Sequence, residues 1–129
     1  MADLTTTGAR FLARAAIGAG GTNLLNNANA YVGAGSSSTA KTNGDSNLLG
    51  GSQTWVGMDG GFPTESAGVV VWRGTFGTSQ GNHAWNEIGV ANSATGGAGG
   101  DLLFRRVTSL GTKGAGETWV LEITATFSA

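Results

Sequence analysis

The chain has a single histidine, and the residues around it are the first candidates for chemistry. His83 precedes Trp85 and Glu87 in the segment TFGTSQGNHAWNEIGV, residues 75–90. The segment alternates as a strand does, so residues 83, 85 and 87 are predicted to share one sheet face. A histidine beside a carboxylate could form an acid–base pair or bind a metal. One histidine and one carboxylate fall short of the three protein ligands of catalytic zinc, so we favour a structural role: strand end, turn and next strand.

Two further groups resemble sites but lack the residues that would define them. The segment GAGSSS, residues 33–38, resembles a phosphate-binding loop without the Gly-Lys-Ser/Thr ending or a following helix. Asp59 and Glu65 could be paired carboxylates of a sugar hydrolase, but nothing distinguishes them from solvated surface residues. The absence of cysteine excludes disulfides and thiolate metal sites. We therefore predict no catalytic residue, no metal site and no cofactor.

The composition argues against nucleic acid or a membrane as partner. Seven basic and eight acidic residues give a net charge of -1, and only 12% of residues are charged. No basic stripe is present to neutralise phosphates. No apolar run is long enough to span a membrane, and Arg10 and Arg14 interrupt the first apolar stretch, which is atypical of a signal peptide. We expect synthesis and assembly in a cytoplasm.

Glycine is the most unusual feature of the composition, with 24 of 129 residues against about 7% on average. Glycine is entropically costly to order. Little charge also gives little protection against self-association. Both features favour a protein that is stabilised by partners.

The first part of the chain is predicted to contain one helix and a long polar loop. Residues 4–17 have apolar positions at helical spacing, with Thr6 or Thr7 as the cap and Gly18 at the end. We interpret residues 1–18 as a helical N-terminal arm. A short strand is expected within residues 29–35. Residues 33–54 form the long polar loop, with a tight turn at Asn43-Gly44.

The remainder reads as β-structure. Alternating runs predict strands over residues 68–76, 84–90, 101–107 and 117–127, with hairpin loops over 92–100 and 109–117. Trp72 and Trp119 are predicted to lie in the core and Trp55 to be exposed or at an interface. Arg105 and Arg106 point to opposite faces, so one of them is expected to pair with Glu87 or Glu122. The fold class is mainly β: a single domain, residues 1–129, forming a small antiparallel sandwich or barrel with one N-terminal helix.

Four segments in fixed order resemble a family of small virion structural proteins of tailed bacteriophages. They are NNANAYVGAGSSSTA, MDGGFP, WRGTFGTSQGNHAWNEIGVANSATGG and LLFRRVTSLGTKGAGETWVLEITATF, which together extend from Asn26 to Phe127. In that family an aromatic residue usually stands where His83 stands here. The resemblance therefore implies a virion component and argues against a catalytic histidine.

The resemblance leads us to expect a non-enzymatic capsid decoration (cement) protein, a homo-oligomer and most simply a trimer, in the virion. Its partners would be the major capsid protein or other virion proteins. The alternative is a tail-associated fibre, collar or baseplate protein; a glycan-binding module or cell-wall hydrolase is the third reading. Six residues are predicted to lie at interfaces: Phe11, Arg14, Tyr31, Trp55, Phe62 and Arg105.

Overall fold

The computed structural model describes residues 2–19 and 23–128 and forms a sandwich of two antiparallel sheets, not a closed barrel. The first sheet has the strand order β2-β1-β5-β6, and the second has the order β3-β4-β7. The elements are α1 (Thr6–Ala16), β1 (Tyr31–Gly35), β2 (Gln53–Gly57), β3 (Thr64–Ser66), β4 (Val69–Phe76), β5 (Ala84–Ala91), a 3-10 turn (Gly96–Ala98), β6 (Leu102–Thr112) and β7 (Trp119–Thr126). The predicted mainly β sandwich with an N-terminal helix is confirmed.

The core lies between the sheets and is built by alternation along the strands. Val32 and Val90 of the four-stranded sheet face Trp72 and other inward residues of the three-stranded sheet. A second aromatic group closes one end, where Trp85 packs edge-to-face on Phe76 and Trp119, with ring centroids 4.6 and 5.0 Å apart. Such offset geometry is favourable for aromatic pairs. The predicted core position of Trp72 is confirmed, whereas Trp119 is half-buried and packs against the core.

Helix α1 is docked on the four-stranded sheet rather than projecting as an arm. Its cap is Thr5, not Thr6 or Thr7: the Thr5 hydroxyl accepts a hydrogen bond from the Gly8 N–H at 2.9 Å. The same hydroxyl donates to the Leu102 carbonyl at 2.6 Å, which joins the cap to β6. Phe11 enters the core from the helix. The helix ends near Gly18, which has φ +65° as a helix C-terminus often requires.

The predicted polar loop over residues 33–54 is shorter than expected, because both of its ends are strands. Gly33 to Gly35 belong to β1, and Gln53 and Thr54 belong to β2, which pairs with β1 in register. The remaining segment, residues 36–52, is called the long loop below. Its turn at Asn43-Gly44 is confirmed, with the Asp45 N–H bonded to the Thr42 carbonyl.

Two other boundaries differ from the predictions. The short strand β3 forms a hairpin with β4, and its three residues are too few to show alternation. Strand β6 continues to Thr112, so the predicted hairpin loop over 109–117 begins only at residue 113. The extra length pairs with the start of β5, where Ala84 lies opposite Thr112.

We predict that replacing Gly8 by alanine destabilises the protein, although alanine favours a helix over glycine by about 1 kcal/mol. The added methyl group would collide with the backbone of Leu103, because α1 lies against β6 at this point. Overpacking of this kind costs about 1–3 kcal/mol. Urea unfolding of G8A measures the loss. The control is G51A, whose added methyl has nothing within 4 Å; equal effects in the two variants would refute the close approach.

Candidate functional site

The predicted common face of residues 83, 85 and 87 is wrong, because the pairing of β5 with β6 shifts register between Trp85 and Glu87. Trp85 points into the sandwich, where it contacts Phe76 and Trp119. Glu87 lies on the opposite, outer face of the four-stranded sheet, beneath the long loop. The alternation of β5 is therefore interrupted between Trp85 and Glu87, where its pairing with β6 is irregular.

His83 is held by two neutral hydrogen bonds and contacts no carboxylate among the described residues. Its Nδ1 lies 2.8 Å from the Ala84 carbonyl oxygen, which can only accept, so Nδ1 carries the proton. Its Nε2 lies 3.1 Å from the Thr54 hydroxyl, with which it shares a hydrogen bond. Both ring nitrogens are thereby used: Nδ1 within the start of β5 and Nε2 in a link to β2. The structural interpretation of His83 agrees with these contacts.

The Glu87 carboxylate is the best-satisfied polar group in the outer layer of the sheet. Its Oε1 accepts from Arg105 Nε and from the Leu49 N–H, both at 2.8 Å. Its Oε2 accepts from the N–H groups of Gly50 at 2.7 Å and Ser37 at 3.1 Å. Four donors fill the acceptor capacity of a carboxylate. Glu87 is therefore an anchor for the long loop and is not free to act as a base or ligand.

Arg105 is the cationic partner of this anchor. The side chain is fully buried, and its remaining nitrogens donate to Asp45 Oδ2 and to the Thr39 carbonyl, each at 2.9 Å. Every guanidinium nitrogen thus has a partner, two of them in the long loop. The expected pairing of one of the two arginines with Glu87 is confirmed. The interface prediction for Arg105 is wrong, because a side chain with no exposed surface cannot contact a partner of the folded chain.

Asp45 completes a buried cluster of three charges. Burial acts to raise the pKa of the Asp45 carboxyl, but hydrogen bonds from the backbone and hydroxyl of Thr42, together with Arg105, outweigh it and hold the pKa below its ordinary value. The Thr42 hydroxyl lies 2.9 Å from Oδ1, and the Thr42 N–H lies 3.0 Å from Oδ2. The tight turn therefore presents a carboxylate that is already charged to Arg105.

Two glycines allow the backbone to approach this cluster. A Cβ atom on Gly35 would lie 2.5 Å from Glu87 Oε2, and one on Gly50 would lie 2.9 Å from the same oxygen. Glycine inside a strand often marks a close approach of this kind. Part of the high glycine content is thus explained by the packing of the long loop on the sheet.

The phosphate-loop resemblance of residues 33–38 and the carboxylate pair find no support in the geometry. The Ser36 N–H is bonded to the Ser52 carbonyl, and the Ser37 N–H is bonded to Glu87, so neither is available to an anion. Asp59 accepts from Arg73 Nε at 2.9 Å. Glu65 Oε1 accepts from the Gly68 N–H at 2.8 Å within its own hairpin. Each carboxylate has a local structural role.

The other predicted interface residues differ in how much of their surface is exposed. Phe11 is only 3% exposed and lies in the core, so its interface prediction is wrong. The Arg14 side chain is exposed and lies 3.2 Å from Asp101. Tyr31 and Phe62 are half-buried, and the Phe62 ring is covered by the Arg73 guanidinium. The interface roles of Arg14, Tyr31 and Phe62 stay predictions.

Trp55 occupies the outer face of β2 and is half-buried rather than free. Its ring lies over Gly33, where an added Cβ would come within 2.5 Å of it, and against Gly96 of the 3-10 turn. Its indole N–H donates to Gln53 Oε1 at 3.0 Å. The remaining exposed part of the ring keeps the interface prediction open, but the ring is not presented as a stacking platform.

A cleft of about 380 Å³ opens at one side of the sandwich, between β6 and β7. Its lining combines apolar side chains with polar and charged ones: Ile88, Phe104, Ile123 and Ala125 on one hand, and Asp3, Arg106, Glu122, Thr124 and Thr126 on the other. No group of three metal-ligating side chains occurs within residues 2–19 and 23–128. In the same part of the chain no helix has the length and apolarity needed to cross a membrane.

Comparisons with protein-family models, with curated proteins and with solved structures each found no match for the chain. The contacts of the described residues and the segments that carry the sequence resemblance are therefore what bears on function. The sequence did not reveal the role of Asp45 or the bonding of Glu87 to the backbone of the long loop. The sequence feature that could have revealed the packing of the long loop is the glycine pattern in YVGAG, since glycines inside a strand indicate that another segment approaches closely.

We predict that Glu87→Gln releases the long loop and destabilises the fold by about 1–3 kcal/mol, because the amide nitrogen would face buried donors that a carboxylate oxygen now satisfies. Urea unfolding gives the stability. Faster trypsin cleavage after Lys41, in the long loop, reports its release. The control is Glu122→Gln at an exposed position, where the expected change is below about 1 kcal/mol. Unchanged stability and unchanged cleavage in E87Q would refute the anchor role.

We also predict that Asp45 makes stability depend on pH in the acid range. Because its pKa is lower in the folded state than in the unfolded state, its contribution is fully present above the ordinary aspartate pKa of about 3.9 and is lost as the pH falls through the folded value. Thermal unfolding of the wild type and of Asp45→Asn should differ most near neutral pH and converge below about pH 4. A difference that stays constant with pH would contradict this.

Proposed function

We propose that this chain is a non-enzymatic structural subunit of a tailed-phage particle, located on the capsid as a decoration protein. The observation that carries the proposal is that the groups capable of chemistry are used in internal hydrogen bonds. The imidazole of His83 and the carboxylates of Glu87 and Asp59 all have structural partners. A chain whose polar residues hold loops in place is suited to presenting a fixed surface.

The outer surface supports a binding role without catalysis. The long loop is fixed on the sheet by buried charges, so its outward residues, including the half-exposed Leu49, are held in one arrangement. Preorganised surfaces lose less entropy on binding than mobile ones. The resemblance of residues 26–127 to small phage virion proteins supplies the biological setting. The partner is then the major capsid protein or another virion protein, bound by a homo-oligomer.

The glycan-binding alternative is less favoured by the positions of the tryptophans. Trp72 and Trp85 are buried in the core, and Trp55 is pressed against glycine backbone on both sides. Sugar recognition by stacking requires an accessible aromatic face. The tail-associated alternative has the same internal geometry and is distinguished from the capsid by stoichiometry.

We predict that the chain is present in purified particles at a copy number approaching that of the major capsid protein. Quantitative mass spectrometry with labelled peptides of both proteins measures the ratio. A few copies per hundred capsid subunits would move the protein to the tail and contradict the decoration role. Absence from particles would refute both. An accompanying functional test is to remove the chain from the shell. The particle is then expected to lose heat resistance.

A further inference from the structure

The turn at Asn43-Gly44 places a side-chain amide next to a glycine, and both residues are exposed. The chain has two pairs in which asparagine or aspartate directly precedes glycine, at residues 43–44 and 59–60. In such a pair the glycine nitrogen can attack the side-chain carbonyl carbon of the preceding residue and close a small ring, because glycine has no Cβ to crowd the approach. The turn therefore contains both reacting groups of an intramolecular reaction.

The nucleophile of this reaction is the backbone nitrogen of Gly44. Its N–H donates to no acceptor within residues 2–19 and 23–128. The neighbouring N–H groups of the turn are used, since Asp45 N–H donates to the Thr42 carbonyl at 3.2 Å and Thr42 N–H donates to Asp45 Oδ2 at 3.0 Å. A Cβ on Gly44 would have only Thr42 Oγ1 near it, at 4.0 Å. The Gly44 amide is thus both unbonded and open to solvent.

The electrophile is the Asn43 side-chain carbonyl, and Lys41 polarises it. Asn43 Oδ1 accepts from Lys41 Nζ at 2.8 Å. The ammonium group is fixed in place because it also donates to the carbonyls of Ala2 and Leu4, at 2.9 and 2.7 Å. Attack on the carbonyl carbon moves negative charge onto Oδ1, and a positioned cation beside that oxygen stabilises it. Lys41 is therefore placed to promote attack on Asn43.

The second pair, Asp59-Gly60, has a different environment. The Asp59 carboxylate accepts from Arg73 Nε at 2.9 Å and from the Thr75 hydroxyl at 2.9 and 3.0 Å. An ionised carboxylate is a poor electrophile, and these three contacts hold it in one orientation. The reaction is therefore assigned to residue 43.

We propose that Asn43 is a site of spontaneous covalent modification whose isoaspartate product releases the long loop from the buried charge cluster. The Gly44 nitrogen bonds to Asn43 Cγ, the bond from Cγ to Nδ2 breaks, and ammonia leaves with the Gly44 proton. Water from the solvent then opens the ring at one of its two carbonyls. Opening at the side-chain carbonyl yields aspartate. Opening at the main-chain carbonyl yields isoaspartate, in which the main chain runs through the former side chain.

The two products differ in their effect on the buried cluster. Aspartate keeps the length of the main chain and leaves an oxygen beside Lys41. Isoaspartate adds one carbon to the main chain, about 1.5 Å, inside the turn that joins Thr42 to Asp45. Asp45 Oδ2 lies 2.9 Å from Nη1 of the fully buried Arg105. The longer turn withdraws this carboxylate, and a buried cation that loses its partner is destabilising. The inference concerns the turn alone and does not depend on the particle in which the chain is placed.

The first test measures the reaction in the full chain. The protein is kept in mildly alkaline, isotopically labelled water, and the tryptic peptide of residues 42–73 is analysed by mass spectrometry. Asn43 should take up one labelled oxygen, at least about tenfold faster than any other asparagine. The matched control is Gly44→Ala, whose methyl group has room and whose φ lies outside the left-handed region. The G44A chain should fold normally and react at least about tenfold more slowly. No conversion of Asn43, or an equal rate in G44A, would overturn the proposal.

A second pair of variants tests the role of Lys41. Lys41→Met removes the cation beside Oδ1 and should slow the conversion of Asn43 at least about threefold. Lys41→Arg keeps a cationic donor and should react within about twofold of the wild type. A rate in K41M that equals or exceeds that of the wild type would contradict activation by Lys41.

The third test concerns release of the long loop. The isoaspartate product is separated by chromatography and unfolded in urea beside Asn43→Asp, which reproduces the other product, and Asp45→Asn, which removes the charge that meets Arg105. The isoaspartate form should unfold at the lower urea concentration of D45N, whereas N43D should unfold like the wild type. If the isoaspartate form is as stable as N43D, the loop is not released and that part of the inference is wrong.

Discussion

The ion pair between Glu87 and Arg105 is the interaction on which the arrangement of the molecule depends. Both side chains are fully buried between the outer face of the four-stranded sheet and the long loop. A buried ion pair adds little net stability compared with apolar residues of similar volume, because desolvation is costly. The ion pair instead fixes the position of the long loop, because the carboxylate binds three loop N–H groups and the guanidinium binds Asp45 and a loop carbonyl.

The bonding of the long loop to this one buried cluster of charges accounts for two features of the composition. Only 15 residues carry a formal charge, and three of them are placed in one buried cluster. The Glu87 carboxylate accepts hydrogen bonds from backbone N–H groups of the long loop rather than from further charged side chains. Backbone can approach a carboxylate this closely only where side chains are absent. Gly35 and Gly50 provide that access beside Glu87, and Gly33 provides it beneath Trp55. Part of the glycine content and the small number of charged residues thus have the same cause, which is the close packing of the long loop on the sheet.

Alternation predicted the parts of the fold whose burial repeats every second residue, such as β7 and the inward position of Trp72. Alternation did not reveal β2, because Gln53–Gly57 directly follows a glycine- and serine-rich stretch. In addition, Trp55 on the outer face of β2 is covered by the 3-10 turn, which lies far along the chain, so the burial of this face does not show in the local sequence. Alternation also placed Glu87 beside Trp85, since periodicity carries no information about a bulge. The pairing of Glu87 with an arginine could be anticipated, but Asp45 could not, because its partner lies 60 residues away.

The docking of the N-terminal stretch on β6 constrains when the chain can fold during synthesis. The Thr5 cap is bonded to residues 97 and 98 positions later in the chain, so α1 leaves the ribosome long before its binding surface exists. Strand β4 likewise pairs with β7, which follows it by more than 40 residues in the chain. Contacts of such sequence separation slow folding. The native sandwich can therefore close only after β7 has been synthesised, and the apolar face of α1 around Phe11 has no binding surface until β6 has formed.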